Sequence, residues 1–512
     1  MPQIVEELKS KLQSQFDIDC FIQIEDLEKD ASSTLYQTLL PFLKEAYHAN
    51  YRFVFFNFTA VEVDTLNHVF NTINYLDISP YFIEVITDQS FTVDFFQQRD
   101  IRVTQQSLTR PIFNLNNQMC AYAWAGLHID PNGQARICCD YIGPILTEND
   151  QPYNIRTHTI DEIVNSKYMI NKRQQFRKGN TPAECNVCVR AESTGGESRR
   201  QIAPYKLKNV YGSIAWEDDV ISPKFLGGHF GNLCNLKCRI CNPYNSSSIA
   251  TEQLKDVSPD QLPAHPTYQL LENNRWSKNS QSFWKDAKEN LSSLRSFEFL
   301  GGEPLLLKEN LEFMQHLLDT GHSQDSVFEF VTNGTQFPKI LESADRFKRL
   351  TFTISIDAIG EQFEYQRKNA KWNEVVNNVQ KFVALKSLNP SIMVGVSITV
   401  NIQNVLYLPE LIQWINTQGF DHYYYNILTS PSYLSVSNLT FTAQQLVLAR
   451  LTNSALDIKD KIKLNYVINY IQTQNPSDGL EFIESITELD QIRNEDFKTS
   501  HKEIAQAMGF VL

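Results

Sequence analysis

Three cysteines, Cys234, Cys238 and Cys241, lie in the run Leu233-Cys234-Asn235-Leu236-Lys237-Cys238-Arg239-Ile240-Cys241, a C-x3-C-x2-C spacing. Three thiolates this close can hold three corners of an iron–sulfur cube and leave the fourth iron without a protein ligand. An iron with an open position can bind a small chelating molecule and pass it an electron. A structural zinc site closes its shell with a fourth ligand, and the run itself holds no fourth Cys or His. A second set comprises Cys120, the adjacent Cys138 and Cys139, and Cys185-x2-Cys188. These could build another iron–sulfur site or a zinc ribbon, since the two share ligand chemistry. Neighbours in a strand point to opposite faces, so only one of Cys138 and Cys139 is expected to serve, with Cys139 slightly favoured because the turn after it could wrap a cluster. The other then reads as a small buried hydrophobe.

Further segments must carry the site around the triad. Phe297-Glu298-Phe299-Leu300-Gly301-Gly302-Glu303-Pro304-Leu305 reads as a buried strand entering a glycine turn, where glycines let backbone approach closely. Phe328-Glu329-Phe330-Val331-Thr332-Asn333-Gly334 reads as a strand ending in a polar turn. Thr351-Phe352-Thr353-Ile354-Ser355-Ile356-Asp357 is a third, followed by Glu364-Tyr365-Gln366-Arg367, and residues 394–401 (VGVSITVN), ending at Asn401, are a fourth.

The triad and these segments, in this order, resemble the radical S-adenosylmethionine (radical SAM) enzymes. The resemblance implies a [4Fe-4S] cluster on Cys234, Cys238 and Cys241 whose open iron binds the amino and carboxylate groups of S-adenosylmethionine. Reductive cleavage then gives a 5′-deoxyadenosyl radical that abstracts hydrogen from a substrate carbon. The resemblance also implies that Gly301, Gly302 and Glu303 contact the methionine amino group, Ser355 the ribose and Arg367 the carboxylate. Asn333, Asp357 and Asn401, at strand ends, join them as cofactor-binding candidates. The residue before the third cysteine is often aromatic in that family and packs near adenine; here it is Ile240.

Residues 111–205 resemble the twitch domain, a shorter relative of SPASM that houses one auxiliary iron–sulfur cluster. The continuation of the triad, residues 241–248 (CNPYNSSS), is shared with family members that carry a twitch module ahead of the barrel. The implied ligands are Cys120, one of Cys138 or Cys139, Cys185 and Cys188, for a second cluster of [4Fe-4S] type. In this setting the cysteine of the 138/139 pair that does not ligate gains a second reading, as a hydrogen donor to a substrate radical.

The whole chain has 512 residues, too many for one ordinary core, and its 42% hydrophobic and 21% charged residues are those of a globular protein. A net charge of −13 argues against a large nucleic-acid surface, which needs clustered Lys and Arg. No run of about 18 apolar residues exists, so no membrane span is expected. The charged amphipathic start does not read as a secretory signal, which favours metal chemistry over disulfides for the nine cysteines and a reducing cytoplasm as their home.

The expected architecture is α/β, in four parts. Residues 1–105 read as a small α/β docking or scaffold domain, with strands at 51–58 and 81–86, a helix at 63–76 between them, and a parallel pairing. Residues 111–205 are the twitch-like domain, with a hairpin at Pro131-Asn132-Gly133 and a turn at Gly195-Gly196-Glu197-Ser198-Arg199. Residues 221–430 alternate six strands with helices and match a partial (β/α)6 TIM-like barrel, whose chemistry gathers at the C-terminal ends of strands. Residues 440–512 read as helices covering the barrel. The polar insertion 246–292, with Trp276 and Trp284, could lid the barrel or pack on it. His128 and His229 read as structural, and Tyr423, Tyr424 and Tyr425 cannot all face inward.

The resulting expectation is a radical SAM enzyme modifying a ribosomally made peptide, with a small molecule such as a sugar or cyclitol as the alternative substrate and a zinc-stabilised binding protein as a rival of another class. An electron donor such as flavodoxin or ferredoxin and a leader-binding partner are the implied partners. The bond changed, the fate of the cofactor after cleavage and the oligomeric state are not written in the sequence.

Overall fold

The protein is described from a computed structural model, covering residues 20–23, 53–57, 83–87, 102–105, 119–193 and 198–511. By the contacts its backbone makes, the chain divides into two compact units. The first comprises residues 1–125, 140–143 and 167–221; the second comprises 126–139, 144–166 and 222–512. The segment expected to form a separate 111–205 domain is thus shared out between them.

The first unit contains strands β1 (Cys20–Gln23), β2 (Phe53–Asn57), β3 (Ile83–Thr87) and β4 (Arg102–Gln105), all parallel and in sequential order. The parallel pairing expected for 51–58 and 81–86 is present, inside a sheet of four strands; the helix expected at 63–76 lies outside the described residues. Among the described residues the unit also contains helices. Residues Lys167–Arg177 form a helix whose buried Arg173 donates to the carbonyl of Ala123 at 2.8 Å. A further helix, Asn186–Ser193, follows the one-turn segment Ala183–Cys185.

The second unit is built on an eight-stranded sheet. The strands are β5 (Gly126–Ile129), β6 (Ala135–Arg136), β7 (Phe225–His229), β9 (Ser296–Leu300), β10 (Val327–Thr332), β11 (Arg349–Ser355), β13 (Met393–Val400) and β14 (His422–Ile427); the short β8 (Lys237–Cys238) and β12 (Arg367–Lys368) pair separately. The spatial order is β14-β13-β11-β10-β9-β7-β5-β6, and all neighbours are parallel except the β5–β6 hairpin. The six strands expected in residues 221–430 are therefore present, within a residue or two of their expected ends. The hairpin around Pro131-Asn132-Gly133 extends this same sheet beyond β7.

Helices cover one face of the sheet, and that face is apolar. Phe297, Phe299, Phe328, Phe330 and Phe352 form that face, each ring within 6 Å of the next, and helices Lys308–Thr320 and Trp372–Ala384 close it with Phe313 and Phe382. The other face is polar yet buried: Glu298, Thr351, Thr353 and Ser397 alternate with those phenylalanines. Trp276 and Trp284 of the 246–292 insertion pack around Phe230 and Phe283, so this segment is core packing rather than a lid. On β14, Tyr423 is buried and donates to Asp460 at 2.6 Å, while Tyr424 points the opposite way and is exposed. Helices Phe441–Thr452, Ile458–Gln472 and Leu480–Arg493 follow β14.

Candidate iron–sulfur sites

The triad occupies the loop after β7. Its fold follows from side chains that bond back to its own backbone. Asn232 donates to the carbonyl of Pro243 at 3.0 Å and Ser246 to that of Leu236 at 2.8 Å. Ser248 donates to the carbonyl of Cys234 at 2.7 Å, and the Cys234 amide donates to Ser247 at 3.1 Å. The Asn-Ser-Ser-Ser stretch after Cys241 thus closes the loop, while Ser246 caps the helix Ser247–Gln253. Across the loop, β8 pairs with β12, which sets Cys238 opposite Arg367.

The glycine turn after β9 meets this loop directly. A Cβ on Gly302 would stand 2.4 Å from the carbonyl oxygen of Leu233 and 2.7 Å from that of Asn232, and Gly301 has φ +121°. The glycines are required here by the cysteine loop itself, whose backbone occupies the space of a side chain. The amide of Glu303 donates to Leu233 at 2.8 Å and fastens the two turns together.

Glu303 is buried and accepts from the Asn333 amide at 2.7 Å, the Thr332 hydroxyl at 2.8 Å and the Leu305 amide at 3.1 Å. Burial outweighs these donors and raises its pKa to about 7. A carboxylate has about four acceptor sites, so one remains for a further donor. Asn333 places its amide nitrogen 3.0 Å from Asn235 and 4.0 Å from the sulfur of Cys234. Arg367 stands 3.7 Å from the sulfur of Cys238 and donates to Asp357 at 2.6 Å; Asp357 also accepts the Thr399 amide at 2.7 Å. Ser355 and Ile240 are half-buried, at the end of β11 and beside Cys241. Asn401 is fully buried, and its amide is used locally, donating to Thr399 and accepting from Gln403, both at 2.9 Å.

Burial favours the neutral form of all three thiols as long as no cation offsets their charge. Burial pushes Cys234 and Cys241 up to about 12, with Cys238 adding to both, and Cys238 is raised by burial against the opposing pull of Arg367. Buried thiols of this kind lose their protons when a cation offsets the charge. Among the described residues no three metal-binding side chains converge on a single ion position. A cube does not require that, since each thiolate ligates a different iron. The donors near Cys234 and Cys238 are of the type that tunes such clusters through hydrogen bonds to sulfur.

In the first unit, Cys120 and Cys188 are buried and Cys185 is partly so. Burial lifts Cys120 to about 11, with Cys188 adding, and Cys185 to about 12, with Cys120 and Cys188 adding. Arg200, paired with Glu192, is the cation beside Cys120 and Cys188. Cys138 and Cys139, in the second unit, correct an expectation. Strand β6 ends at Arg136, so both lie in a bend and turn beyond it, where strand alternation does not govern their direction. Cys138 is buried and Cys139 is more exposed.

One polar group was missed in the sequence. His128, Gly227, Glu298, Glu329 and Thr351 form one cross-strand row on the polar face of the large sheet. His128 and Glu298 flank Gly227 in this row, with 3.9 Å between Nδ1 and Oε2. His229, with its ring 5.8 Å from that of His128, hydrogen bonds to Asn245, and burial lowers its pKa to about 4. Each residue is unremarkable alone; only the register of β5, β7 and β9 brings them together.

Residues 120–189 match the family model of SPASM, an iron–sulfur cluster-binding domain. This segment is similar to that domain. The SPASM match spans Cys120, Cys138, Cys139, Cys185 and Cys188, all five of the cysteines in the second set. No curated protein matches the chain. Among solved structures, native anSMEcpe with bound AdoMet and Cp18Cys peptide is 17% identical at a TM-score of 0.30, over 45% of this chain and 58% of that one. Streptococcus suis SuiB bound to S-adenosylmethionine is 14% identical at 0.29, over 66% and 71%. SuiB bound to precursor peptide SuiA is 15% identical at 0.28, over 60% and 61%. These likenesses are distant, and the chain spans under two thirds of the anSMEcpe structure it matches. No helix among the described residues is long and apolar enough to cross a membrane.

Proposed function

We propose that the protein is a radical SAM enzyme with one auxiliary cluster, acting on a ribosomally made peptide. The observation that carries the reading is the C-x3-C-x2-C loop held by the Gly301–Gly302 turn at the C-terminal end of a parallel β/α sheet, in a chain whose residues 120–189 also match the SPASM model. When bound, the cluster on Cys234, Cys238 and Cys241 supplies the electron that cleaves S-adenosylmethionine. The chain's own residues then bind and orient. The free acceptor site on Glu303 suits the methionine ammonium group, and Gly301 and Gly302 keep backbone close to it. Arg367 offers its cation to the carboxylate side, with Ser355 and Asp357 together at the end of β11. The buried polar face lined by Glu298, Thr351, Thr353 and Ser397 suits a polar substrate and excludes bulk water.

The peptide substrate is supported by the resemblance to twitch and SPASM enzymes, many of which modify peptides. Cys120, Cys185 and Cys188, with Cys138 or Cys139, would hold the auxiliary cluster. Flavodoxin or ferredoxin would supply the electron, and a reducing cytoplasm is the setting in which both clusters survive.

Anaerobic reconstitution tests the reading. The protein should take up about eight irons if both sites hold cubes. Reduced protein should release 5′-deoxyadenosine from S-adenosylmethionine, and replacing Cys234, Cys238 and Cys241 together by Ala should stop this while retaining the auxiliary cluster. Equal cleavage by the triple variant overturns the proposal. A short precursor peptide encoded beside this chain and altered in mass by it would establish the substrate class.

A further inference from the structure

The cysteine loop is held from a second side by residues about 250 positions away in the chain. Arg239, between Cys238 and Ile240, has a fully buried side chain. It pairs with Asp490 at 2.5 Å and Glu495 at 2.7 Å, and its guanidinium lies 3.8 Å from the centre of the Tyr365 ring. Its Nε donates to the carbonyl of Tyr365 at 3.2 Å, and its amide donates to that of Gln366 at 2.9 Å. Tyr365 in turn donates to Asp490 at 2.8 Å. Two turns of the loop's neighbours are gripped from the same segment. Arg493 donates to the carbonyl of Lys237 at 2.8 Å and pairs with Glu252 at 2.7 Å, which also holds Lys237. Glu495 holds Lys368, the residue after Arg367, at 3.0 Å.

The backbone is shaped for this. The helix Leu480–Arg493 ends at Asn494 in the left-handed region, φ +51°, which Asn tolerates better than most residues. That reversal returns Glu495 to the side of Asp490, whose carbonyl receives the Glu495 amide at 3.0 Å. Asp490 accepts the Phe497 amide at 2.7 Å, which completes a tight hook. A buried ion cluster is a weak source of stability, because desolvation offsets the attraction, but it fixes geometry closely. Here the geometry it fixes is that of the two residues flanking Cys238.

We infer that residues 490–497 are a strap that sets the position of the cysteine loop, with Arg239 and Arg493 as positioning residues for the triad site. The inference rests on the reading of the triad as a cluster site. Outer partners of metal ligands commonly change metal affinity when removed, although they touch no metal.

The test uses the full chain reconstituted with iron and sulfide, and follows the loss of iron from each site to a chelator. The auxiliary cluster serves as the internal reference. Glu495→Gln and Arg493→Gln should each release triad iron about tenfold faster than the wild type, leaving the rate at the auxiliary site unchanged. The electron paramagnetic resonance signal of the reduced triad cluster should change with them. Arg239→Lys, which keeps the charge but not the fork, should fall between the wild type and these variants. If Glu495→Gln and Arg493→Gln release triad iron at the wild-type rate while their melting temperatures fall, the strap is structural only and the inference is overturned. A wild-type chain that takes no iron at the triad overturns the proposed function first, and the inference with it.

Discussion

The Nη1 of Arg367 points at the sulfur of Cys238 across 3.7 Å, while its Nη2 donates to Asp357 at 2.6 Å. One buried guanidinium thereby joins a prospective cluster ligand to a carboxylate at the end of β11. Its position opposite Cys238 is fixed by the short β8–β12 ladder. Under the proposed function the same cation would meet both a sulfur and the carboxylate of S-adenosylmethionine, which would link the electrostatics of the loop to ligand binding.

Removing that cation leaves Asp357 buried, with the Thr399 amide still donating to it but no charge to offset its own. Breaking one side of a buried pair costs about 3–5 kcal/mol. Arg367→Met should therefore lower the unfolding free energy of the iron-free chain by that order, and Asp357→Asn added to it should restore part of the loss. Urea denaturation of the single and double variants measures both. Additive losses would show that the two residues are not coupled.

Gly302→Ala should act on the cysteine loop rather than on the strand. The added Cβ meets two backbone carbonyls, at 2.4 and 2.7 Å, and neither is the free end of a flexible side chain. The loop or the turn must shift, so iron bound at the triad should fall while the SPASM segment keeps its own. Mössbauer spectra of the iron-loaded variant separate the two populations. Wild-type occupancy of both would contradict the packing described.

His501 should give the protein part of its acid sensitivity. Its ring is buried against Phe497, 4.7 Å away, and burial, with Arg239 adding, lowers its pKa from 6.5 to about 3. The unfolded chain then binds a proton that the folded chain refuses between those two values. Stability is complete above about 6.5 and is lost as pH falls toward 3. From pH 7 to pH 5 the loss from this one residue is about 2 kcal/mol. His501→Phe should show a shallower pH dependence than the wild type by about that amount, as read from denaturant midpoints at the two pH values.

The auxiliary site should separate the remaining cysteines. Cys120→Ala, Cys185→Ala and Cys188→Ala should each cost the second cluster and spare the first. A closed cube then needs one more thiolate, so only one of Cys138→Ala and Cys139→Ala should lose iron. In the other, loss of product with retained cleavage of S-adenosylmethionine would mark a hydrogen donor, and unchanged product a packing residue. Iron analysis and product assays decide between them.

Much of the site was legible because its signals are local in the chain. The cysteine spacing confines three thiols to one loop, and the alternation of apolar runs with helical periodicity located all six strands of residues 221–430. The glycine turn was readable too, because few residues other than glycine tolerate φ +121° at position 301. Fold and ligand chemistry of this kind depend on neighbours a few residues apart, where covalent geometry dictates what can meet.

The tertiary structure decided what the spacing could not. That Gly302 yields to the carbonyl of Leu233 depends on where the cysteine loop packs. Cys138 and Cys139 escape strand alternation because β6 stops two residues short of them. His128 meets Glu298 only through the register of three strands. Arg239 finds Asp490 and Glu495 some 250 residues on because a helix end turns back beneath the loop. In each case the partners are chosen by packing between distant segments. A single sequence carries no periodicity or spacing that records such a choice.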